Sequence, residues 1–263
     1  MIARIGRLGL LGLVAIFLLA PIVVVAGVSL NASSRMAFPP ENPDFHWYRV
    51  FLADPAWTGS VRASLTVASL AALLSMSIAF PVAYIGWCYG GRAARALRML
   101  GRLPFLLPSV VVAIVFLVFW TAIGHGGQLE DTVVSHGVVF AALPLTTLAL
   151  GFASVDPALV QAARTMGARD SDVLRTVVLP IVRPYVLSGL VFVFVLSLNE
   201  YIIAYMVSGF SVQTLPIKVF NNLRMGFQPT MCVGSVLFTL IGLFAFTMVA
   251  AVGDLPKLLG GKA

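Results

Sequence analysis

Apolar positions in this chain gather into six long runs separated by shorter polar connections: Leu8 to Leu30, Val61 to Trp87, Leu103 to Ile123, Val133 to Ala153, Tyr185 to Val207 and Thr230 to Val252. A bilayer hydrocarbon core is crossed by roughly 20 apolar residues wound as a helix, so each run is long enough to span it. A helix also satisfies its own backbone hydrogen bonds where water is absent. No run alternates apolar and polar positions as a barrel strand does. The pattern predicts an all-α membrane protein of six transmembrane helices, forming a single domain over residues 1–263. Arg4 and Arg7 precede the first run as in a secretory leader, but Leu8 to Leu30 exceeds the roughly 7–15 apolar residues of a leader, so an uncleaved first span is expected.

Composition agrees with a bilayer as solvent. The chain is 60% hydrophobic and 10% charged, with a mean hydropathy of +1.00, whereas a soluble domain carries roughly a quarter charged residues. The net charge of +7 raises the question of nucleic acid. The basic residues, however, lie between the apolar runs rather than along one amphipathic face, which excludes that partner class. With the N-terminus inside, twelve of the seventeen basic residues fall on inner segments, among them Arg4, Arg92, Arg95, Arg164, Arg175, Lys257 and Lys262. The positive-inside rule then places both termini in the cytoplasm. Cys88 and Cys232 have no metal-ligand spacing. His46, His125 and His136 are scattered over outer loops or span ends and predict no metal or acid–base site.

The connections differ in character. Residues 31–60 form a polar outer loop with His46, Trp47 and Tyr48 as interfacial anchors. The inner connection over residues 154–184 carries more information. Asp156 before Pro157 is a good helix start, an acidic cap followed by proline at the first helical position. Gly167 ends that short helix, and a second short helix begins near Asp170 or Ser171, with Pro180 and Pro184 punctuating the return to the membrane. Ala162, Ala163 and Ala168 offer a small face for close approach to a soluble partner, and the flanking arginines offer charge. From the residues alone, a docking protrusion and a merely interfacial loop both remain open.

The segment Gln161-Ala162-Ala163-Arg164-Thr165-Met166-Gly167-Ala168, followed by Leu174, Val177, Leu179 and Pro180, resembles the EAA motif of ABC importer permeases. Gln161 stands in place of the motif's acidic residue, Met166 of its Leu and Leu174 of its Phe. The resemblance extends over nearly the whole chain, including Leu103-Pro104-Phe105-Leu106-Leu107-Pro108 before the third run. It implies type I importer architecture in a bacterial inner membrane, with Gln161, Ala162, Ala163, Arg164, Met166, Gly167, Ala168, Leu174 and Pro180 in a coupling helix seated on an ATPase. It further implies two ATPase subunits, a second related permease subunit and an extracytoplasmic solute-binding protein. No phosphate-binding Gly-x-x-x-x-Gly-Lys-[Ser/Thr] sequence occurs, so no catalytic site and no cofactor are expected in this chain; ATP and Mg belong to the partner ATPase.

Within the fifth run, Ser197, Asn199 and Glu200 interrupt apolar sequence. An ionisable residue at that depth is costly unless it meets a polar path or a partner. Ser197 and Glu200 share a helix face and Asn199 points away. Two roles stay open for Glu200, attraction of a cationic solute and an interhelical hydrogen bond. Ser197 to Ala204 and Thr214 to Lys218 look like the polyamine, opine and phosphonate branch of these permeases. That resemblance implies a small charged or aminated solute, a polyamine first, with an opine or aminophosphonate as alternatives. A self-contained secondary transporter or channel is the rival class; it predicts paired broken helices or several intramembrane charges. Residues 208–229 predict a short amphipathic outer helix, either a contact for the binding protein or gate, or an anchor for the sixth span.

Overall fold

A computed structural model describes residues 2–252, with side chains described from residue 6 to residue 251. Lys257, Lys262 and the side chain of Arg4 lie outside the described residues. All regular structure among the described residues is helical: α1 Ile2–Ser29, α2 His46–Ala53, α3 Pro55–Cys88, α4 Gly91–Leu100, α5 Leu103–Leu106, α6 Ser109–Ala122, α7 Leu129–Val139, α8 Ala142–Ala153, α9 Pro157–Thr165, α10 Asp170–Asn199, α11 Ile202–Ser208, α12 Leu215–Met225 and α13 Pro229–Val252.

Four of these helices hold unbroken apolar stretches long enough to cross a bilayer, namely Gly6–Ser29, Pro55–Cys88, Asp170–Asn199 and Pro229–Ala251. The other two runs are interrupted. The third is split at Leu107, which is extended with ψ 150° because it precedes Pro108, leaving the short helices α5 and α6. The fourth begins earlier than its apolar run and bends by 42° between α7 and α8. The fifth run is not one helix either: α10 stops at Asn199 and α11 starts at Ile202.

Two compact units divide the chain, residues 2–61 with 217–241, and residues 62–216 with 242–252. In the first, the outer segment is folded around Asn31. Its Oδ1 accepts the Glu41 N–H at 2.8 Å, its Nδ2 donates to the Ala37 carbonyl at 2.6 Å, and its own carbonyl accepts the Trp47 indole at 2.8 Å. Trp47, expected from sequence to be an interfacial anchor like Tyr48, thus bonds within this segment, while the Tyr48 hydroxyl bonds the Ser29 hydroxyl at the end of α1 at 2.9 Å. From Gly6 to Val24 the apolar stretch of α1 is exposed, which only hydrocarbon or a partner subunit can solvate.

The second unit is a tight helix bundle whose contacts rest on small residues. A Cβ on Gly189 of α10 would lie 2.8 Å from the Thr147 Oγ1 of α8 and 3.1 Å from the Pro144 Cα, so the two helices touch backbone to backbone there. Ser75 of α3 donates to the Gly137 carbonyl of α7 at 2.7 Å. One apolar core, including Ala79, Leu148, Phe152, Val178 and Val182, joins α3, α8 and α10; a second, including Ala113, Phe140, Val193, Ile203 and Val207, joins α6, α7, α10 and α11.

Candidate functional site

The connection over residues 154–184 is fixed to the first of these cores. Asp156 caps α9, its Oδ1 accepting the Ala158 N–H at 2.8 Å, with Pro157 at the first helical position. The helix ends in a Schellman turn: Gly167 has φ +86°, its N–H reaches the Arg164 carbonyl at 3.0 Å, and the Ala168 N–H reaches the Ala163 carbonyl at 3.1 Å. No atom stands within 4 Å of a Cβ built on Gly167, so the backbone conformation and not crowding calls for glycine.

Beyond Gly167 the chain departs from the pair of short helices expected from sequence. The second helix is not a separate short element. From Asp170 the chain runs as one helix to Asn199, with Pro180 inside it. The helix widens to a π-helical stretch over Leu174–Val178, closed by the Leu179 N–H on the Leu174 carbonyl. This local rewinding accommodates Pro180, which has no N–H to give. The connection is therefore α9, a glycine turn and the start of the long helix α10.

The candidate docking residues divide between two faces. Gln161, Ala162, Arg164, Met166 and Gly167 are exposed, Met166 at 82%. Ala163 is buried and, with the partly buried Ala168 and Leu174, packs into the core that holds Phe152, Val173 and Val178. The small face of alanines thus serves the bundle more than a partner: Ala163 and Ala168 point inward, and Ala162 alone is outward. Pro180 is exposed. Arg164, expected to offer its charge to a partner, pairs across the turn with Asp170 at 2.8 Å. Beside α9, Tyr84, Trp87, Cys88, Val160 and Gln161 help to line a cavity of about 540 Å³.

The second candidate site is the break between α10 and α11. Glu200 is extended (φ −74°, ψ 129°) and Tyr201 returns to helical values. The Glu200 carboxylate turns back and caps α11, Oε1 accepting the Ile203 N–H at 2.9 Å and Oε2 the Ala204 N–H at 3.0 Å. His136 of α7 completes the arrangement: its Nε2 lies 3.0 Å from the Glu200 Oε2 and its Nδ1 2.8 Å from the Ser197 Oγ. The His136 and Glu200 side chains are 1% and 10% exposed. Ser197 and Glu200 do share a face, and Asn199 is exposed on another, its Nδ2 bonded to the Val195 carbonyl at 2.8 Å. Of the two roles left open for Glu200, the interhelical bond is the one this geometry makes. His136, assigned from sequence to a span end without function, is the missed partner. The sequence held only half of the signal: a buried ionisable group calls for a partner and His136 is a titratable residue inside an apolar run near its outer end, but no local spacing pairs the two.

Comparison with known proteins decides what kind of membrane protein carries these features. The family described as binding-protein-dependent transport system inner membrane component matches residues 84–254, which include α9 with its glycine turn and the break after Asn199. This chain belongs to that family. As a permease component it is a multi-pass inner membrane protein of an ABC transporter, and the broken fifth run does not make it a self-contained carrier. The permease is 28% identical over 248 residues to the putrescine transport system permease protein PotI of Escherichia coli (strain K12), covering 89% of this chain and 87% of that one. It is 25% identical over 251 residues to the spermidine/putrescine transport system permease protein PotC of the same organism, covering 95% and 94%. Among solved structures, a bacterial ABC transporter importing the acidic polysaccharide alginate gives a TM-score of 0.70 at 18% identity over 95% of each chain. The MetNI methionine ABC transporter gives 0.62 at 17% identity, covering 77% of the permease and all of that chain. At these identities the structural likeness concerns the fold.

Proposed function

We propose that this permease is one of two membrane subunits of an importer that carries a small aminated solute of the polyamine type into the cytoplasm, driven by a separate ATPase docked on α9. The observation that carries the reading is the Schellman-turned lever: Gln161, Ala162, Arg164 and Met166 stand outward while Ala163, Ala168 and Leu174 are set in the core of the bundle. A partner's movement against the outward face is thereby transmitted to α3, α8 and α10 through close-packed apolar contacts, which deform little and switch between discrete arrangements. The choice of an amine follows the two polyamine permeases to which the chain is similar over nearly its full length.

In this scheme the chain spans the membrane six times with both termini inside, as the bias of basic residues predicts. Two ATPase subunits bind ATP and Mg, this chain holds no nucleotide, a related permease completes the pathway, and an extracytoplasmic binding protein delivers the solute. ATP-driven closure of the ATPases draws the levers together and turns the pathway outward; release of hydrolysis products resets it. Purification of the tagged chain from inner membranes tests the assembly: a stoichiometric ATPase and a second permease are expected to accompany it, and proteoliposomes of the complex with its binding protein are expected to accumulate putrescine or spermidine. A chain that purifies alone and transports by itself would contradict the scheme.

A further inference from the structure

The start of α10 carries two arginines that find no ion-pair partner among the described residues. Arg175 and Arg183 are both exposed. The carboxylates nearest to them in sequence are engaged elsewhere, Asp170 with Arg164 at 2.8 Å and the Asp172 Oδ2 with the Arg169 N–H at 3.1 Å. Eight residues wind an α-helix through about 800°, which would set the two side chains about 80° apart. The π-helical stretch Leu174–Val178 puts one more residue into a turn and takes up that offset. Arg175 and Arg183 thereby line one cavity of about 350 Å³, together with Leu179, Pro180 and Val186. Two guanidiniums over an apolar floor make the site amphipathic.

Its place along the helix selects the occupant. Residues 184–199 carry no charge, and Arg183 closes that stretch. An arginine at the end of a span lays its aliphatic stem along apolar surface and brings its head to the headgroup level. Arg175 stands about 12 Å further along the axis, so the pair brackets a headgroup layer about 5–8 Å deep. The floor reaches Val186, inside the uncharged stretch. A free anion has no use for such a floor, and a carboxylate on a soluble partner does not extend to it. A phosphodiester at the root of two acyl chains matches both parts, and a guanidinium binds phosphate oxygens in a bidentate fork.

We propose that Arg175 and Arg183 hold the phosphate of an anionic phospholipid, whose acyl chains leave past Leu179 and Val186. The lipid anchors α10 at its π-helical stretch, close to the turn at Gly167. That it belongs to the cytoplasmic leaflet rests on the topology given above, which the labelling of Met166→Cys decides separately.

The test uses the complete importer in nanodiscs, with all cysteines removed and a fluorophore on Thr176→Cys, an exposed position beside Arg175. Nitroxide-labelled phosphatidylglycerol and phosphatidylcholine are the probes, and quenching is read against lipid fraction. Each arginine near an anionic lipid contributes about fivefold in affinity, so phosphatidylglycerol is expected to reach half-quenching at a fraction about tenfold or more below that of phosphatidylcholine. In Arg175→Gln with Arg183→Gln the two lipids are expected to differ by about twofold or less, while a Lys pair at the same positions keeps most of the preference. Equal quenching by both lipids in the unsubstituted importer would overturn the proposal, as would a preference that survives the Gln pair. Displacement of phosphatidylglycerol by inorganic phosphate would assign the site to a free anion and overturn it too. So would a fluorophore that both lipids reach only after the ATPase is stripped away, since the arginines would then face that subunit. The readout needs no transport, so it stands or falls independently of the solute.

Discussion

His136, Ser197 and Glu200 form the most demanding residue-scale arrangement in the molecule, because two titratable groups are shielded from water and each depends on the other. Interhelical hydrogen bonds in membranes contribute about 0.6–1.7 kcal/mol. A double-mutant cycle of His136→Ala and Glu200→Gln, read from the thermal stability of the purified permease, is expected to return a coupling energy in that range; additive effects would show that the pair does not interact. Ser197 and Glu200 were legible as a shared face because helical spacing is local. Their partner was not, since His136 is 64 residues away from Glu200 and only the packing of α7 on α10 and α11 brings it there. The helix break was hidden for the same reason. Neither Gly nor Pro stands at 200 or 201, and what stabilises the break is the Glu200 side chain capping α11.

At the scale of elements, α9 and the start of α10 matter because they join an outward surface to an inward core. The start of α9 and its glycine turn were readable in Asp156-Pro157 and Gly167, since caps and positive-φ turns are made by neighbouring residues. The inward face of Ala163 and Ala168 and the continuous path of α10 through Pro180 were not, because alanine carries no sign of its side and the π-helical stretch absorbs a proline that ordinarily ends a helix. Phe152, 2% exposed, ties this region together, its ring centroid lying 5.8, 5.9 and 5.5 Å from those of Phe80, Tyr84 and Trp87. Replacing it with Ala is expected to cost about 3–5 kcal/mol of stability. In complexes that still assemble, ATP hydrolysis is expected to outlast solute uptake, measured side by side in proteoliposomes. Equal loss of both would mean that the aromatic cluster does not transmit motion.

For the whole molecule, the uneven distribution of basic residues and the exposed apolar length of α1 both require a fixed orientation in the bilayer. Cysteines placed at Met166 and at Ser34, both exposed, in a background without Cys88 and Cys232, are expected to react with an impermeant maleimide from the cytoplasmic and the outer side respectively. The reverse pattern would invert the topology and detach the lever from any cytoplasmic ATPase. The most direct measurement concerns force transmission through the lever itself. Gly167 holds φ +86°, a conformation that a β-branched residue adopts only under strain. In a reconstituted importer carrying Gly167→Val, the number of putrescine molecules taken up per ATP hydrolysed is expected to fall about tenfold or more while the ATPase stays bound. A ratio equal to that of the natural protein would contradict the lever as the link between hydrolysis and transport.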